Sequence, residues 1–147
     1  MICMKDEIFY DTNVLYYAYD LSEPEKRKTC KSLVSKVFMG ETKGVISNQI
    51  LVELYNALTR KLGVKSDTAI VIVDSFITST NWLKISYNHI TVKAALDTSK
   101  AFRAPFLDSL IAETMKENGI THITTENEKD FARIPDIKIK NPFHYPD

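Results

Sequence analysis

The sequence predicts an α/β fold, a parallel sheet of roughly five strands with helices on both faces, from three observations. Short apolar runs alternate along the chain with longer segments of helical periodicity. The first such run, Ile8-Phe9-Tyr10, ends on Asp11 and passes straight into a helix-like segment. The chain has 147 residues, 44% hydrophobic and 26% charged, with no internal repeat, low-complexity tract or linker. It is therefore read as one domain over residues 1–147, large enough to bury a core without disulfides.

Residues 7–10 form the first strand, and residues 13–19 continue as a helix with Val14, Leu15 and Ala18 at helical spacing. Ser22-Glu23-Pro24-Glu25 starts the next helix, with a cap candidate, then proline, then acid in the first turn. Cys30, Leu33, Val34, Val37 and Phe38 share one of its faces, and Gly40 stops it. Gly44-Val45-Ile46-Ser47 is the second strand. Ser47 or Asn48 caps a helix whose face is Ile50, Leu51, Leu54, Leu58 and Leu62, and Gly63 ends it. Ser66 begins another helix, with its apolar part at 69–77, and Trp82-Leu83-Lys84-Ile85 is the third strand. Two helices follow, at 89–102 and 106–117, separated by Ala104-Pro105 and closed by Asn118-Gly119. A fourth strand lies within 120–126, a short helix spans 128–132, and a last strand at 137–139 leads to Asn141-Pro142-Phe143.

Nineteen basic residues balance nineteen acidic ones, which argues against a strongly basic nucleic-acid binder. If four acids face a cation, the remaining surface carries a basic excess of four. The bases cluster in Lys26-Arg27-Lys28 with Lys31, in Arg60-Lys61 with Lys65, and in Lys100 with Arg103, each of which is read first as a solvated helix face. Apolar stretches such as 69–73 fall far short of the roughly 18 residues a membrane span needs. The first seven residues carry charges where a signal peptide would need an apolar core. Cys3 and Cys30 have no metal-ligand spacing, so a reducing, cytoplasmic setting is expected.

The chemistry rests on carboxylates. An open α/β sheet places ligand chemistry beyond the carboxyl ends of its strands, where Asp11 stands. Asp11 suits a helix cap and a metal ligand equally, and so does Asp108, before Leu110-Ile111-Ala112. Glu53 borders the apolar face of its helix, where burying an unpaired carboxylate is costly, so it needs a cation or a base such as Arg60 or Lys61. Glu126, Glu128 and Asp130 compete for a fourth place, with Glu126 favoured because it lies at the strand end. Glu113 stands roughly 140° round its helix from Asp108 and is read as facing outward or supporting the site. Thr12 and Asn13 would orient the carboxylates or hold a water.

Acids brought this close repel strongly unless a cation neutralises them. Mg²⁺ or Mn²⁺ suits all-oxygen ligation, and phosphodiester hydrolysis is the natural chemistry of such a site. No P-loop, dinucleotide fingerprint, serine-hydrolase elbow or zinc-protease motif is present. His89, His122 and His144 stand apart and read as packing or surface.

Taken in order, four segments resemble PIN-domain proteins of the VapC toxin type. They are Tyr10-Asp11-Thr12-Asn13-Val14-Leu15, then Ser47-Asn48-Gln49-Ile50-Leu51-Val52-Glu53-Leu54, then Leu107-Asp108-Ser109-Leu110-Ile111-Ala112, and Thr125-Glu126-Asn127-Glu128-Lys129-Asp130-Phe131. Asn141-Pro142-Phe143 also fits that family. The resemblance implies a PIN fold and a metal-dependent ribonuclease, and the expectation drawn from it is a Mg²⁺- or Mn²⁺-dependent endoribonuclease selective for single-stranded or looped RNA. It carries over Asp11, Glu53 and Asp108 as catalytic metal ligands, with Glu126, or Asp130 nearby, as the fourth acid. It further implies a homodimer and a cognate antitoxin protein. A haloacid-dehalogenase-like phosphatase would carry a second Asp where Asn13 stands, and a receiver domain would need an Asp near Ile85-Ser86. The remaining alternative is a PIN domain that only binds RNA or protein.

Overall fold

A computed structural model describes residues 6–144 of the chain. Cys3 lies outside them, as does most of the charged stretch on which the expectation of no signal peptide rests. The chain runs from β1 (Ile8–Tyr10) into α1 (Thr12–Tyr17) and α2 (Pro24–Phe38), then through β2 (Gly44–Ser47) into α3 (Asn48–Asn56). α3 continues as a π-helical turn (Ala57–Lys61), followed by α4 (Ser66–Thr78) and β3 (Trp82–Ile85). α5 (His89–Phe102), α6 (Phe106–Glu117), β4 (His122–Thr124), α7 (Glu128–Phe131) and β5 (Lys138–Lys140) complete the described residues.

The five strands form one parallel sheet in the order β3-β2-β1-β4-β5. Phe9 of the central strand stands opposite Val45 of β2 and Ile123 of β4, and all three are fully buried. Parallel strands need helical crossovers, which cover the inner strands on both faces, whereas the edge strands carry exposed residues such as Leu83 of β3 and Lys138 and Lys140 of β5. α1 packs against α2 and α3, and α3 against α4, while α5 packs against α6 and α6 against α7.

Strand order reverses at β1: the first crossover leads to β2 on one side, and β4 joins on the other. That switch point opens a crevice beyond the strands' carboxyl ends. Asp11 follows β1 directly, Thr125 follows β4, and Asn48 follows β2. The site residues thus converge through topology, from positions far apart in sequence.

Gly44 shows how tightly this sheet is packed. A Cβ there would lie 2.7 Å from the Trp82 ring and from a Val37 methyl. Trp82 itself is buried among Tyr10, Phe38 and Phe76, at ring-centroid distances of 5.2–5.9 Å.

Some local details differ from the sequence reading. α6 begins at Phe106, so Asp108 lies inside its first turn and does not cap it. The Pro105 carbonyl opens that helix by accepting both the Ser109 N–H and the Ser109 hydroxyl, each at 3.0 Å. Ser22 does not cap α2, because its N–H and hydroxyl both donate to Asp20 Oδ1, at 3.0 and 2.6 Å. Among the described residues no helix is long and apolar enough to cross a membrane.

Candidate active site

Asp11 is 6% exposed and takes three hydrogen bonds. The Thr12 N–H donates to Oδ1 at 2.8 Å, as a helix cap would require. The Thr125 hydroxyl at 2.8 Å and the Asn13 amide at 3.2 Å both donate to Oδ2. Burial is the largest influence on this carboxyl and raises its pKa to about 6; the hydrogen bonds oppose it and the Glu53 charge adds to it. Cap and buried charged site are the same residue.

Glu53 projects from α3 toward α1. The Thr12 hydroxyl donates to Oε1 at 2.7 Å, and Gln49 Nε2 donates to Oε2 at 3.1 Å. Gln49 lies one helical turn before Glu53, so the two side chains share a face. The same Gln49 nitrogen donates to the Leu107 carbonyl at 3.0 Å, which ties α3 to the turn that carries Asp108.

Asp108 accepts from Asn127 Nδ2 at 3.2 Å. Its pKa is raised to about 7, first by burial, then by the charges of Asp11, Asp130 and Glu53, against the Asn127 hydrogen bond. Asp108 is therefore close enough to feel the charges of Asp11, Glu53 and Asp130, and Asp11 that of Glu53. No group of three or more His, Cys, Asp or Glu side chains among the described residues is already arranged to hold an ion. Each of the first three carboxylates is instead drawn onto protein donors.

The residues present fit a hard divalent cation. Every ligating atom they offer is oxygen, as Mg²⁺ and Mn²⁺ prefer. Gln49 Oε1 is buried without a hydrogen-bond partner. The amide cannot be turned to relieve it, because both groups facing Nε2 are acceptors. Water carried by such a cation is a donor that would satisfy an orphaned acceptor beside the acids.

Glu126, expected as the fourth acid, is engaged elsewhere. Its carboxylate accepts from Lys26 Nζ and, at 2.8 Å, from the Tyr17 hydroxyl. Burial works against the charged form, but the bonds from Lys26 and Tyr17 outweigh it and hold the carboxyl below its ordinary value. Asp130, in α7, is the acid whose charge reaches Asp108. Glu128 pairs with His144 at 3.3 Å. Glu113 does not face outward, since it accepts from the Thr98 hydroxyl at 2.6 Å and joins α6 to α5.

Sequence reasoning assigned no role to Gln49, Thr125 or Asn127. Gln49 was detectable from its four-residue spacing to Glu53. Thr125 and Asn127 flank Glu126 where the chain bends between β4 and α7, and that bend sends the Glu126 side chain away while its neighbours enter the site.

The PIN-domain family model matches residues 8–137. No curated protein matches the chain. Among solved structures, the chain is similar to VapC20 of Mycobacterium tuberculosis, described as a Sarcin-Ricin loop cleaving toxin. That match has 18% identity and a TM-score of 0.66, and covers 88% of this chain and 98% of the other. VapBC-1 from nontypeable Haemophilus influenzae gives 18% identity and a TM-score of 0.66, over 94% and 99% of the two chains. A toxin–antitoxin complex from Klebsiella pneumoniae gives 17% and 0.63, over 94% and 99%.

Proposed function

Because the chain belongs to the PIN-domain family, shown by the match over residues 8–137, we propose that it is a divalent-cation-dependent endoribonuclease and the toxin of a toxin–antitoxin pair. The observation that carries this reading is the gathering of acids around Asp108, whose pKa is raised to about 7 first by burial and then by the charges of Asp11, Asp130 and Glu53. Such crowding costs stability without a cation and is relieved by one.

Asp11, Glu53 and Asp108 would hold Mg²⁺ or Mn²⁺, with Asp130 as the fourth acid in place of Glu126. When bound, the cation supplies Lewis-acid polarisation of the scissile phosphate and lowers the pKa of water beside it. The remaining work belongs to the chain. Thr12 and Gln49 orient Glu53, Thr125 and Asn13 orient Asp11, and Asn127 orients Asp108. Carboxylates fixed in this way lose little freedom on taking up the ion. Basic side chains such as Lys61, which donates to the hydroxyl of Tyr16 on α1 at 2.6 Å, would hold flanking RNA phosphates and make binding salt-dependent.

The similar structures include complexes with an antitoxin by their own descriptions, which supports a small protein inhibitor for this chain too. A cytoplasmic homodimer is the working assembly, supported by exposed apolar side chains on α3 and α4 such as Val52, Ile70 and Val71. Light scattering and co-purification with a neighbouring small gene product test those two proposals.

The activity is tested on a panel of single-stranded and structured RNAs with protein freed of any inhibitor. Cleavage that needs Mn²⁺ or Mg²⁺ and stops on chelation is the expected result. Absence of chelator-sensitive cleavage across the panel would leave an RNA- or protein-binding module in its place.

A further inference from the structure

Three consecutive residues after β4 reach into the site. The Thr125 hydroxyl donates to Asp11 at 2.8 Å, the Glu126 N–H to Asn13 Oδ1 at 3.2 Å, and Asn127 Nδ2 to Asp108 at 3.2 Å. The Asn127 N–H also donates to the Thr125 hydroxyl oxygen at 3.0 Å, so the three act as one unit. Only the Glu126 side chain leaves the site. It runs to Lys26 on α2 and Tyr17 on α1.

Lys26 is itself held in place. Its Nζ lies 4.9 Å from the Tyr17 ring centroid and 5.1 Å from that of Phe143, and the two rings meet edge to face at 5.6 Å. Cation–π contacts on two sides and an ion pair at the tip give this lysine one preferred position. Its side chain is 31% exposed, and that of Glu126 is 33% exposed. A pair of that exposure contributes little to global stability. What it can fix is the direction of a short loop. A displaced Glu126 would carry Thr125 and Asn127 with it, and hence the donors on both aspartates.

We propose that Lys26 and Glu126 form a positioning pair, which sets the cation affinity of the site by anchoring residues 125–127 from behind. Neither side chain touches the cation. The inference rests on the nuclease reading above, and it assigns to Glu126 a role different from that of a metal ligand.

A charge swap tests it, comparing wild type with Lys26→Glu, Glu126→Lys and the double variant. Mn²⁺ affinity is measured by calorimetry, and amide hydrogen exchange is followed over residues 124–131. Each single variant is expected to weaken Mn²⁺ binding roughly five- to tenfold and to speed exchange at the amides of 126 and 127. The double variant is expected to return both readouts to within about twofold of wild type. Failure of the swap to restore Mn²⁺ affinity would overturn the proposal, since a ligand cannot be replaced by a lysine. Single variants that match wild type in both readouts would overturn it as well. If wild type binds no Mn²⁺, the nuclease reading fails separately; the exchange data then still decide whether the pair anchors the loop.

Discussion

Asp11 and Asp108 keep their protons to higher pH than free carboxyls, and this makes the cation-free protein sensitive to pH in a definite direction. Unfolded, both titrate near pH 4. Folded, they titrate at about 6 and about 7, with burial as the first cause in each. Between those limits the folded protein binds more protons than the unfolded chain. Stability from these groups is therefore complete below pH 4 and is lost as pH rises through 6 to 7. For Asp11, which is 6% exposed, the loss is about 3 kcal/mol. The melting temperature of the cation-free protein should fall between pH 5 and pH 8, and fall less in Asp108→Asn. Saturating Mg²⁺ at pH 8 should restore it. A pH dependence unchanged by Asp108→Asn would contradict this account of the shift. At this scale the sequence singled out Asp11, Glu53 and Asp108 as candidates because each stands at an element end or on the edge of an apolar face. It could not give the direction of Glu126. Glu126 lies in the bend after β4, where neither strand nor helix periodicity fixes which side a residue faces.

Helices and strands position those residues, and their tolerance is narrow where the sheet meets α2. The missing Cβ of Gly44 leaves the space that the Trp82 ring and Val37 fill. Gly44→Ala should destabilise the protein by about 1–3 kcal/mol, read as a lower urea midpoint with an unchanged slope. A midpoint equal to wild type would mean that β2 and β3 can separate without cost. Hydrophobic periodicity made most elements legible, since strands and helices here bury different faces. Two features were hidden. The spacing of Leu54, Leu58 and Leu62 reads as continuous helix, and nothing in it marks the π-helical turn at Ala57–Lys61. Asp108 offers itself as a cap because aspartate favours that position, whereas α6 runs over the 106–117 that its periodicity predicted and holds Asp108 inside its first turn.

For the whole molecule, strand order decides what the carboxylates can do. Alternating elements predicted a parallel sheet, but periodicity alone does not say that β1 lies between β2 and β4. That placement brings Asp11 beside Thr125 and carries α3 and α6 toward the same crevice, so acids separated by dozens of residues share one field. The most direct measurement is a calorimetric titration of Mn²⁺ into inhibitor-free protein at pH 8, where Asp11 and Asp108 are ionised. Wild type is compared with the double variant Asp11→Asn, Asp108→Asn, with the fold checked by circular dichroism. Saturable binding to wild type and none to the folded double variant is the predicted result. Equal binding to both would contradict a cation site built on these two aspartates.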